Sequence, residues 1–330
     1  MKPTAAFDRG VFTLSLDFEL IWGTLDLFGP EGFRRACEAE RAEIVDRLLD
    51  LFVEFDIPAT WCVVGHLFLD RCQAPGGVKH PEIVPPGHAW CRREWFADDP
   101  CGDESSAPLF YGRSLVEKIR RCKVPQEIGS HSFSHVVFGD PGCSRETAAS
   151  EVAACVRLAH DAGLELRSFV FPRNRVGHLD VLREHGFVCY RGPEPAWYER
   201  PSWPAAARRL GHLADVLLAT TPPVVSPERT DSGLWKLPAS MIYFPMHGTR
   251  RHIPVSLRVR RARRGLEAAA KRRGVLHLWL HPTNLACETD AMFSGLRQIL
   301  QEVRSFRDRG VIEVLPMIGV AEKAAEGEER

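Results

Sequence analysis

The feature that most constrains the fold is a regular alternation of short apolar runs with longer segments of helical periodicity. In the segment 33–55, for example, Ile44, Leu48, Leu51 and Phe55 recur at helical spacing. Repeated strand-then-helix units predict a parallel sheet or barrel of the α/β class. Strands are predicted at 11–18, 58–65, 126–131, 167–172, 187–192, 275–281 and 311–315.

The size of the chain suits one domain of this kind. With 330 residues, 45% of them hydrophobic, it can bury a sizeable core, and α/β barrels reach this length as one unit. We therefore expect a single domain over 1–330. The proline- and glycine-rich stretch 68–112 is predicted to be an inserted loop or lid. Its aromatic and histidine side chains suit either stacking on a ligand or packing of the loop itself.

Polar side chains follow four of the predicted strands. Asp17 and Glu19 close the first, and His131, Arg173 and His281 follow three others. Ligands of parallel α/β folds gather where the strands end at their carboxyl side. We therefore expect these side chains to lie together.

The pair His131 and His135 is the best candidate for metal binding. Two imidazoles and a carboxylate leave coordination positions open on a divalent ion, and either Asp17 or Glu19 can supply the oxygen. The other carboxylate would take a proton from water, and His281 could protonate the leaving group. The four-residue spacing brings both rings to one side if a helical turn begins at Ser132. Taken alone, the pair equally suits two ordinary polar residues.

Four motifs carry a resemblance to a known family. The segments "SLDFE", "HSFSH", "FVFPRNRVG" and "LHLWLHP" occur in the order typical of the polysaccharide deacetylases (NodB-homology domain, carbohydrate esterase family 4). The resemblance extends over about residues 10–320, and "HSFSH" matches the family's His-[Ser/Thr]-x-x-His metal motif. It implies a distorted (β/α) barrel of about seven strands.

The resemblance also implies roles for individual residues. Asp17 would be the catalytic base and His281 the general acid. His131 and His135 would bind a divalent metal, most often Zn²⁺. The family usually keeps a metal-binding aspartate where this chain has Phe18. A variant branch uses an acid two positions after the base, so the resemblance implies Glu19 as the third ligand.

Other family positions match less closely. The family's third motif implies Arg173 as the arginine that orients the base, with Arg175 as the alternative. Asn174 would either face the substrate or cap the turn. Leu280 or Leu278 would wall the acetyl pocket.

A tryptophan usually completes the apolar wall of the family's site. Trp235 and Trp197 are the candidates, and both equally suit a place in the core. The predicted substrate-binding set is therefore Asn174, Trp235 and Leu280.

Charge and cysteine content bear on partners and location. The 43 basic and 43 acidic residues cancel, which argues against nucleic-acid binding, and the chain lacks the apolar run needed for stable membrane insertion. The basic stretch 250–273 could bind a phosphate-bearing partner or form a solvated helix. Ten cysteines without a CxxC pair, in a chain whose start lacks a secretory signal pattern, predict mostly reduced thiols and a cytoplasmic location.

Together these features predict a metal-dependent deacetylase. Its expected substrate is an N-acetylated or O-acetylated carbohydrate, free or linked to a nucleotide or lipid, in surface-polysaccharide or lipopolysaccharide synthesis. One alternative is hydrolysis of a non-sugar C–N bond, as in amides or ureides. Another is a non-catalytic sugar-binding relative.

Overall fold

A computed structural model describes residues 7–198 and 202–328, and its centre is one sheet of ten strands. Seven of the strands lie where apolar runs predict them. The strands are β1 (Gly10–Phe18), β2 (Thr60–Val63), β3 (Glu127–Ser130), β4 (Ser168–Val170), β5 (Cys189–Gly192), β6 (Glu228–Arg229), β7 (Trp235–Pro238), β8 (Met241–Ile242), β9 (Val275–Leu280) and β10 (Ile312–Val314).

The strand order explains why the strand ends meet. The sheet runs β6-β7-β5-β4-β3-β2-β1-β9-β8, and β10 pairs with the first residues of β1. Every pairing is parallel except that of β6 with β7. The carboxyl ends of β1, β2, β3, β4, β5 and β9 therefore open on the same side. The predicted barrel-like α/β fold is confirmed, and the strands beyond the predicted seven are β6, β7 and β8.

Helices connect and cover the strands. The segment predicted as a helix over 33–55 consists of α2 (Arg34–Ala39), one π-helical turn (Glu40–Ile44) and α3 (Val45–Phe55), and the apolar face of α3 is buried. At the start of α5 (Arg145–Asp161), the Ser144 hydroxyl accepts a hydrogen bond from the amide of Thr147, as an N-cap does. The helices are α1 (Trp22–Phe28), α2 (Arg34–Ala39), α3 (Val45–Phe55), α4 (Arg113–Arg120), α5 (Arg145–Asp161), α6 (Leu179–Glu184), α7 (Ala205–Leu217), α8 (Val255–Arg272), α9 (Thr289–Asp308) and α10 (Met317–Glu328).

The central strands separate apolar from polar side chains by alternation. Leu16 of β1 lies beside Leu280 of β9, and both are fully buried in the main hydrophobic core. Ser15 and Trp279 pair on the opposite face, which also carries Asp17. Leu280 therefore points away from the polar strand ends, and the structure does not place it in the wall of the site.

The stretch 69–112 is ordered mainly by turns and side-chain packing. It contains an isolated bridge between Arg71 and Asp103 and a disulfide between Cys72 and Cys101. The other eight cysteines are free thiols, in agreement with mostly reduced cysteines. The stretch also contributes buried Phe96 to the main core.

The basic stretch forms α8 and the turn before it. Arg258 and Arg261 are buried: Arg258 donates to the Ile253 carbonyl, and Arg261 forms an ion pair with Asp215. Part of the stretch is therefore structural and not available to a partner. Within the described residues, no helix has the length and apolarity needed to cross a membrane.

Candidate active site

The loop after β3 carries His131 and His135. The segment is not helical: Ser132 and His135 adopt left-handed backbone conformations, with φ of 60° and 63°. The two imidazoles still face each other, with ring centroids 5.2 Å apart. The predicted proximity of the rings thus arises from two left-handed residues and not from a helical turn.

A buried glutamate of α5 holds this loop in shape. One carboxylate oxygen of Glu151 accepts hydrogen bonds from the amides of Phe133 and Ser134, each at 2.8 Å, and the other accepts from the Ser134 hydroxyl. Burial raises the pKa of Glu151 to about 7, although these hydrogen bonds oppose the rise. Glu151 was missed in the sequence analysis, yet a lone acid in the apolar run "ASEVAAC" was a usable signal.

The two histidines converge on Glu19. Glu19 Oε1 lies 2.9 Å from His131 Nε2 and 3.3 Å from His135 Nε2. His131 Nδ1 donates to the Val170 carbonyl at 2.7 Å, so in the neutral ring Nε2 carries a lone pair. A lone pair and a carboxylate oxygen at this distance repel unless a cation, either a proton or a metal ion, lies between them.

The donor set fits a divalent metal ion. The ligand atoms of Glu19, His131 and His135 all lie within 4.8 Å of one another, and the three residues are buried. Nitrogen and oxygen donors of this kind match zinc, and a three-residue set leaves a coordination position for substrate or water. Glu19, not Asp17, is the carboxylate that faces both imidazoles.

The glycine of α1 makes room for the Glu19 carboxylate. A Cβ atom added at Gly23 would lie 1.6 Å from Glu19 Oε2, so the carboxylate can keep this position only beside a glycine. Burial raises the pKa of Glu19, but the charges of His281 and His135 and the hydrogen bonds from His131 and His135 hold it well below its ordinary value.

Asp17 is held by a buried arginine. Arg191 of β5, fully buried, donates to both oxygens of Asp17 at 2.6 and 2.7 Å. Arg191 also donates to Asn174 Oδ1 at 3.1 Å and lies 4.2 Å above the ring of Trp279. Burial raises the pKa of Asp17, but the charges of Arg191, His131 and His281 lower it below its ordinary value. Asp17 is therefore an oriented, ionised carboxylate.

The arginine beside Asp17 is therefore Arg191 and not the predicted Arg173. Arg173 has a left-handed backbone (φ 55°), and its side chain pairs with Asp26 and lies 4.8 Å from the ring of Trp90. The backbone after β4 thus directs Arg173 away from Asp17. Arg175, the alternative, donates to the Gly139 carbonyl at 3.5 Å.

The predicted aromatic wall is also placed differently. Trp235 lies at the amino end of β7, opposite Cys189, in a core cluster with Phe7 and Val11. It is therefore at the far end of the strands from Glu19. Trp279, two positions before His281, takes the place beside Arg191.

Trp197 likewise lies outside the site, since its ring nitrogen donates to Asp215. Asn174, by contrast, lies beside the Asp17–Arg191 pair, because its Oδ1 accepts a hydrogen bond from Arg191.

His281 lies between the two carboxylates. Its Nε2 is 3.7 Å from Asp17 Oδ2 and 3.6 Å from Glu19 Oε1. Its side chain is 27% exposed, in contrast to 4% and 9% for Asp17 and Glu19, so it forms the solvent-facing edge of the cluster. The structure thus brings together the predicted Asp17, Glu19, His131, His135 and His281.

Comparison with solved structures shows where this fold occurs. A Mycobacterium smegmatis protein described as a polysaccharide deacetylase has 16% identity and a TM-score of 0.65, covering 99% of this chain and 96% of that one. An allantoinase has 12% sequence identity and a TM-score of 0.59, and the match covers 98% of this chain and 93% of the allantoinase. A Pseudomonas aeruginosa PAO1 protein described as a probable polysaccharide deacetylase has 12% sequence identity and a TM-score of 0.58. The match covers 97% of this chain and 93% of that one.

Sequence comparison adds nothing to this result, because no protein-family model and no curated protein sequence matches the chain. The likeness to known proteins is therefore one of fold, and it extends over nearly the whole chain. The protein has the fold of the polysaccharide deacetylases that its four motifs resemble.

Proposed function

We propose that the protein is a metal-dependent hydrolase that removes an acetyl group from nitrogen or oxygen of a carbohydrate. The observation that carries the proposal is the convergence of Glu19, His131 and His135, with Asp17 and His281 adjoining them. This arrangement combines a metal-ligand set with two groups that can move protons.

Glu19, His131 and His135 would hold the metal ion. Its chemistry, when bound, is to polarise the scissile carbonyl and lower the pKa of a water molecule. The hydrogen bond from His131 Nδ1 to the Val170 carbonyl orients this imidazole with Nε2 inward. Glu151 supports both histidines by fixing the backbone between them.

Asp17 is the base of the proposed reaction. Its bidentate pairing with Arg191 keeps the carboxylate ionised and points it toward His281 and Glu19. An ionised and oriented carboxylate can accept a proton from the attacking water.

His281 is the proposed acid. Its position at the exposed edge lets it reach the nitrogen or oxygen that departs when the acyl bond breaks. Protonation of a leaving amine is the step that an amide requires most, because an amide anion is a poor leaving group.

Substrate contacts would come from the residues around this edge. Asn174 borders the Asp17–Arg191 pair, and Trp279 packs beside His281 with ring centroids 5.6 Å apart. Trp90 of the insertion is 38% exposed and lies under Arg173. Flat aromatic rings and a guanidinium at a site edge suit the faces and hydroxyls of a sugar.

We further propose that 68–112 belongs to the same catalytic domain and borders the substrate, and that the enzyme acts in the cytoplasm. The substrate would then be a sugar precursor of surface polysaccharide or lipopolysaccharide, free or linked to a nucleotide or lipid. Exposed arginines of the stretch 250–273, such as Arg260, could contact a linked phosphate.

A second candidate is hydrolysis of a small non-sugar amide or ureide. It is favoured by the allantoinase among the proteins of this fold, which covers 98% of this chain. The same five site residues would serve, since the reaction again cleaves a carbon–nitrogen bond.

The deciding experiment measures acetate release from a panel of N-acetyl and O-acetyl sugars, beside ammonia or amine release from small amides and ureides. Metal-loaded wild type, Asp17→Asn and the exposed-surface control Asp50→Asn are compared. Hydrolysis of a sugar by wild type and control but not by Asp17→Asn supports the deacetylase. Activity only on a small amide supports the second candidate. If no substrate is cleaved, the protein is a non-catalytic relative and the proposal is wrong.

A further inference from the structure

A second histidine–carboxylate cluster lies outside the proposed active site. It consists of His66, which follows β2, and His80 and Asp99 from the insertion; all three are buried, with 0%, 5% and 1% exposure. Asp99 Oδ2 lies 2.7 Å from His80 Nε2 and 3.4 Å from His66 Nε2. The three ligand atoms lie within 4.8 Å of one another.

Hydrogen bonds fix which atoms of the cluster are available. His66 Nδ1 donates to the Phe110 carbonyl at 3.0 Å, so in the neutral ring Nε2 holds a lone pair. Asp99 Oδ1 accepts from the Cys101 amide at 2.9 Å, and Oδ2 is the oxygen directed at the histidines.

Hydrogen bonds between protein groups alone do not satisfy every polar atom of this cluster. His80 can donate to Asp99 Oδ2, but His66 Nε2 then faces the same oxygen with its lone pair. Across residues 7–198 and 202–328, this buried nitrogen has no hydrogen-bond partner. An unsatisfied buried polar atom destabilises the folded state, so such an atom calls for an explanation.

We propose that His66, His80 and Asp99 bind a second divalent transition-metal ion, with zinc the best chemical match. Two imidazole nitrogens and a carboxylate oxygen are ordinary zinc donors. Donors bound tetrahedrally at about 2.0–2.2 Å lie about 3.3–3.6 Å apart, a range that includes the 3.4 Å between His66 Nε2 and Asp99 Oδ2. One ion would satisfy both imidazoles and the carboxylate at once.

The surroundings suit a structural ion. The rings of Trp22 and Tyr111 lie 4.3 and 4.9 Å from the His66 ring, and Phe96 lies 4.8 Å from that of His80. An aromatic shell of this kind excludes water and strengthens binding between ion and ligands. The nearest sulfur, Cys72 Sγ, is 3.6 Å from His80 Nε2 and is bonded to Cys101, so the proposed site rests on the three residues named.

The position of the cluster gives the ion a role. His66 belongs to the segment after β2, whereas His80 and Asp99 belong to the insertion, so one ion would tie the two together. The ring of Phe133, the middle residue of "HSFSH", packs 5.6 Å from His66 and 5.2 Å from His80. The His66 amide also donates to the Phe133 carbonyl at 2.9 Å. The second ion would thereby also support the loop that carries His131 and His135.

Metal analysis of the full chain tests this inference. Wild type loaded with zinc and then desalted should contain two equivalents per chain. Asp99→Asn should contain one, whereas the neighbouring Asp98→Asn should keep two. His131→Ala should also contain one, because it loses the other ion. A wild type with one equivalent that Asp99→Asn retains and His131→Ala loses overturns the second site while leaving the proposed function intact.

A measurement on the wild type alone tests the inference without relying on variants, which could lose zinc simply because they do not fold. Anomalous scattering from zinc-loaded crystals, collected on both sides of the zinc absorption edge, should show a peak between His66 Nε2 and Asp99 Oδ2. A peak at Glu19 without one at Asp99 contradicts the inference. Two peaks establish it whether or not acetyl sugars are substrates.

Discussion

The Glu19 and Asp99 clusters share a pattern but differ in their neighbours. In each, one carboxylate oxygen faces two imidazole Nε2 atoms, and one imidazole is oriented by a backbone carbonyl, that of Val170 or of Phe110. The Glu19 cluster adjoins Asp17 and the partly exposed His281, whereas aromatic rings enclose the Asp99 cluster. The same set of ligands therefore suits the proposed catalysis in the Glu19 cluster, which adjoins proton-transfer groups and solvent. It suits a structural role in the Asp99 cluster, which aromatic rings enclose.

The largest expected effect comes from removing the proposed base, Asp17, which adjoins only the Glu19 cluster. Asp17→Asn keeps the shape of the side chain but cannot accept a proton at neutral pH. We expect acetate release to fall by about 10²–10⁴-fold. Zinc content should stay that of wild type, because Asp17 is not among the proposed ligands. A large loss of zinc together with activity would mean that Asp17 is itself a ligand.

Removing the proposed acid should have a substrate-dependent effect. We expect His281→Ala to slow hydrolysis of N-acetyl sugars by about 10²-fold or more, because the amine leaves only when protonated. 4-Nitrophenyl acetate, whose phenolate leaves without a proton, should be affected far less. The exposed His160→Ala serves as the matched control. Equal losses on both substrates would show that His281 does not act as an acid.

Crowding one cluster should leave the other intact. In Gly23→Ala the added methyl group would overlap Glu19 Oε2 and move this carboxylate from the histidines. We expect zinc affinity at the Glu19 site to weaken by about 10–100-fold, measured by competition with a chelator, while the Asp99 site is unchanged. Gly87→Ala is the control, since its Cβ would lie 3.8 Å from its nearest neighbour. Unaltered affinity in Gly23→Ala would contradict the assignment of Glu19.

The last expected effect is on stability and concerns the loop that lies between the clusters. Because burial raises the pKa of Glu151 to about 7 in the folded protein, the folded state binds more protons than the unfolded state between about pH 4.5 and 7. The contribution of Glu151 to stability should therefore be present below this window and decline as the pH rises through it. Glu151→Gln should lack this decline when the free energies of unfolding in urea are compared at pH 5 and 7.5. If the free energies of unfolding of wild type and Glu151→Gln change in parallel with pH, the raised pKa of Glu151 is contradicted.

Much of the fold was predictable because apolar runs and helical periods are local signals. The side chains of Asp17, Glu19, His131 and His281 were predictable too, because each follows a strand whose end position is set by such a run. These side chains lie together because the strands are parallel and neighbouring, so their carboxyl ends are on the same side of the sheet.

Residues whose position depends on alternation or on loop geometry were harder to predict. Arg191 lies within the predicted strand 187–192, and only its register shows that it faces Asp17. Leu280 and Trp279 are adjacent in sequence and point to opposite faces. His66 lies in a short 3₁₀ turn (Gly65–Phe68), and His80 and Asp99 lie on irregular segments, so no period indicates that these side chains meet.

The most direct test of the account measures zinc content and acetate release together in two matched variants. His131→Ala and His80→Ala should each retain one zinc ion. His131→Ala should lose about a thousandfold in acetate release, as expected when several kcal/mol of transition-state stabilisation are removed, whereas His80→Ala should keep most of its activity. Acetate release by His131→Ala at the wild-type rate would contradict the central claim that Glu19, His131 and His135 hold the catalytic metal.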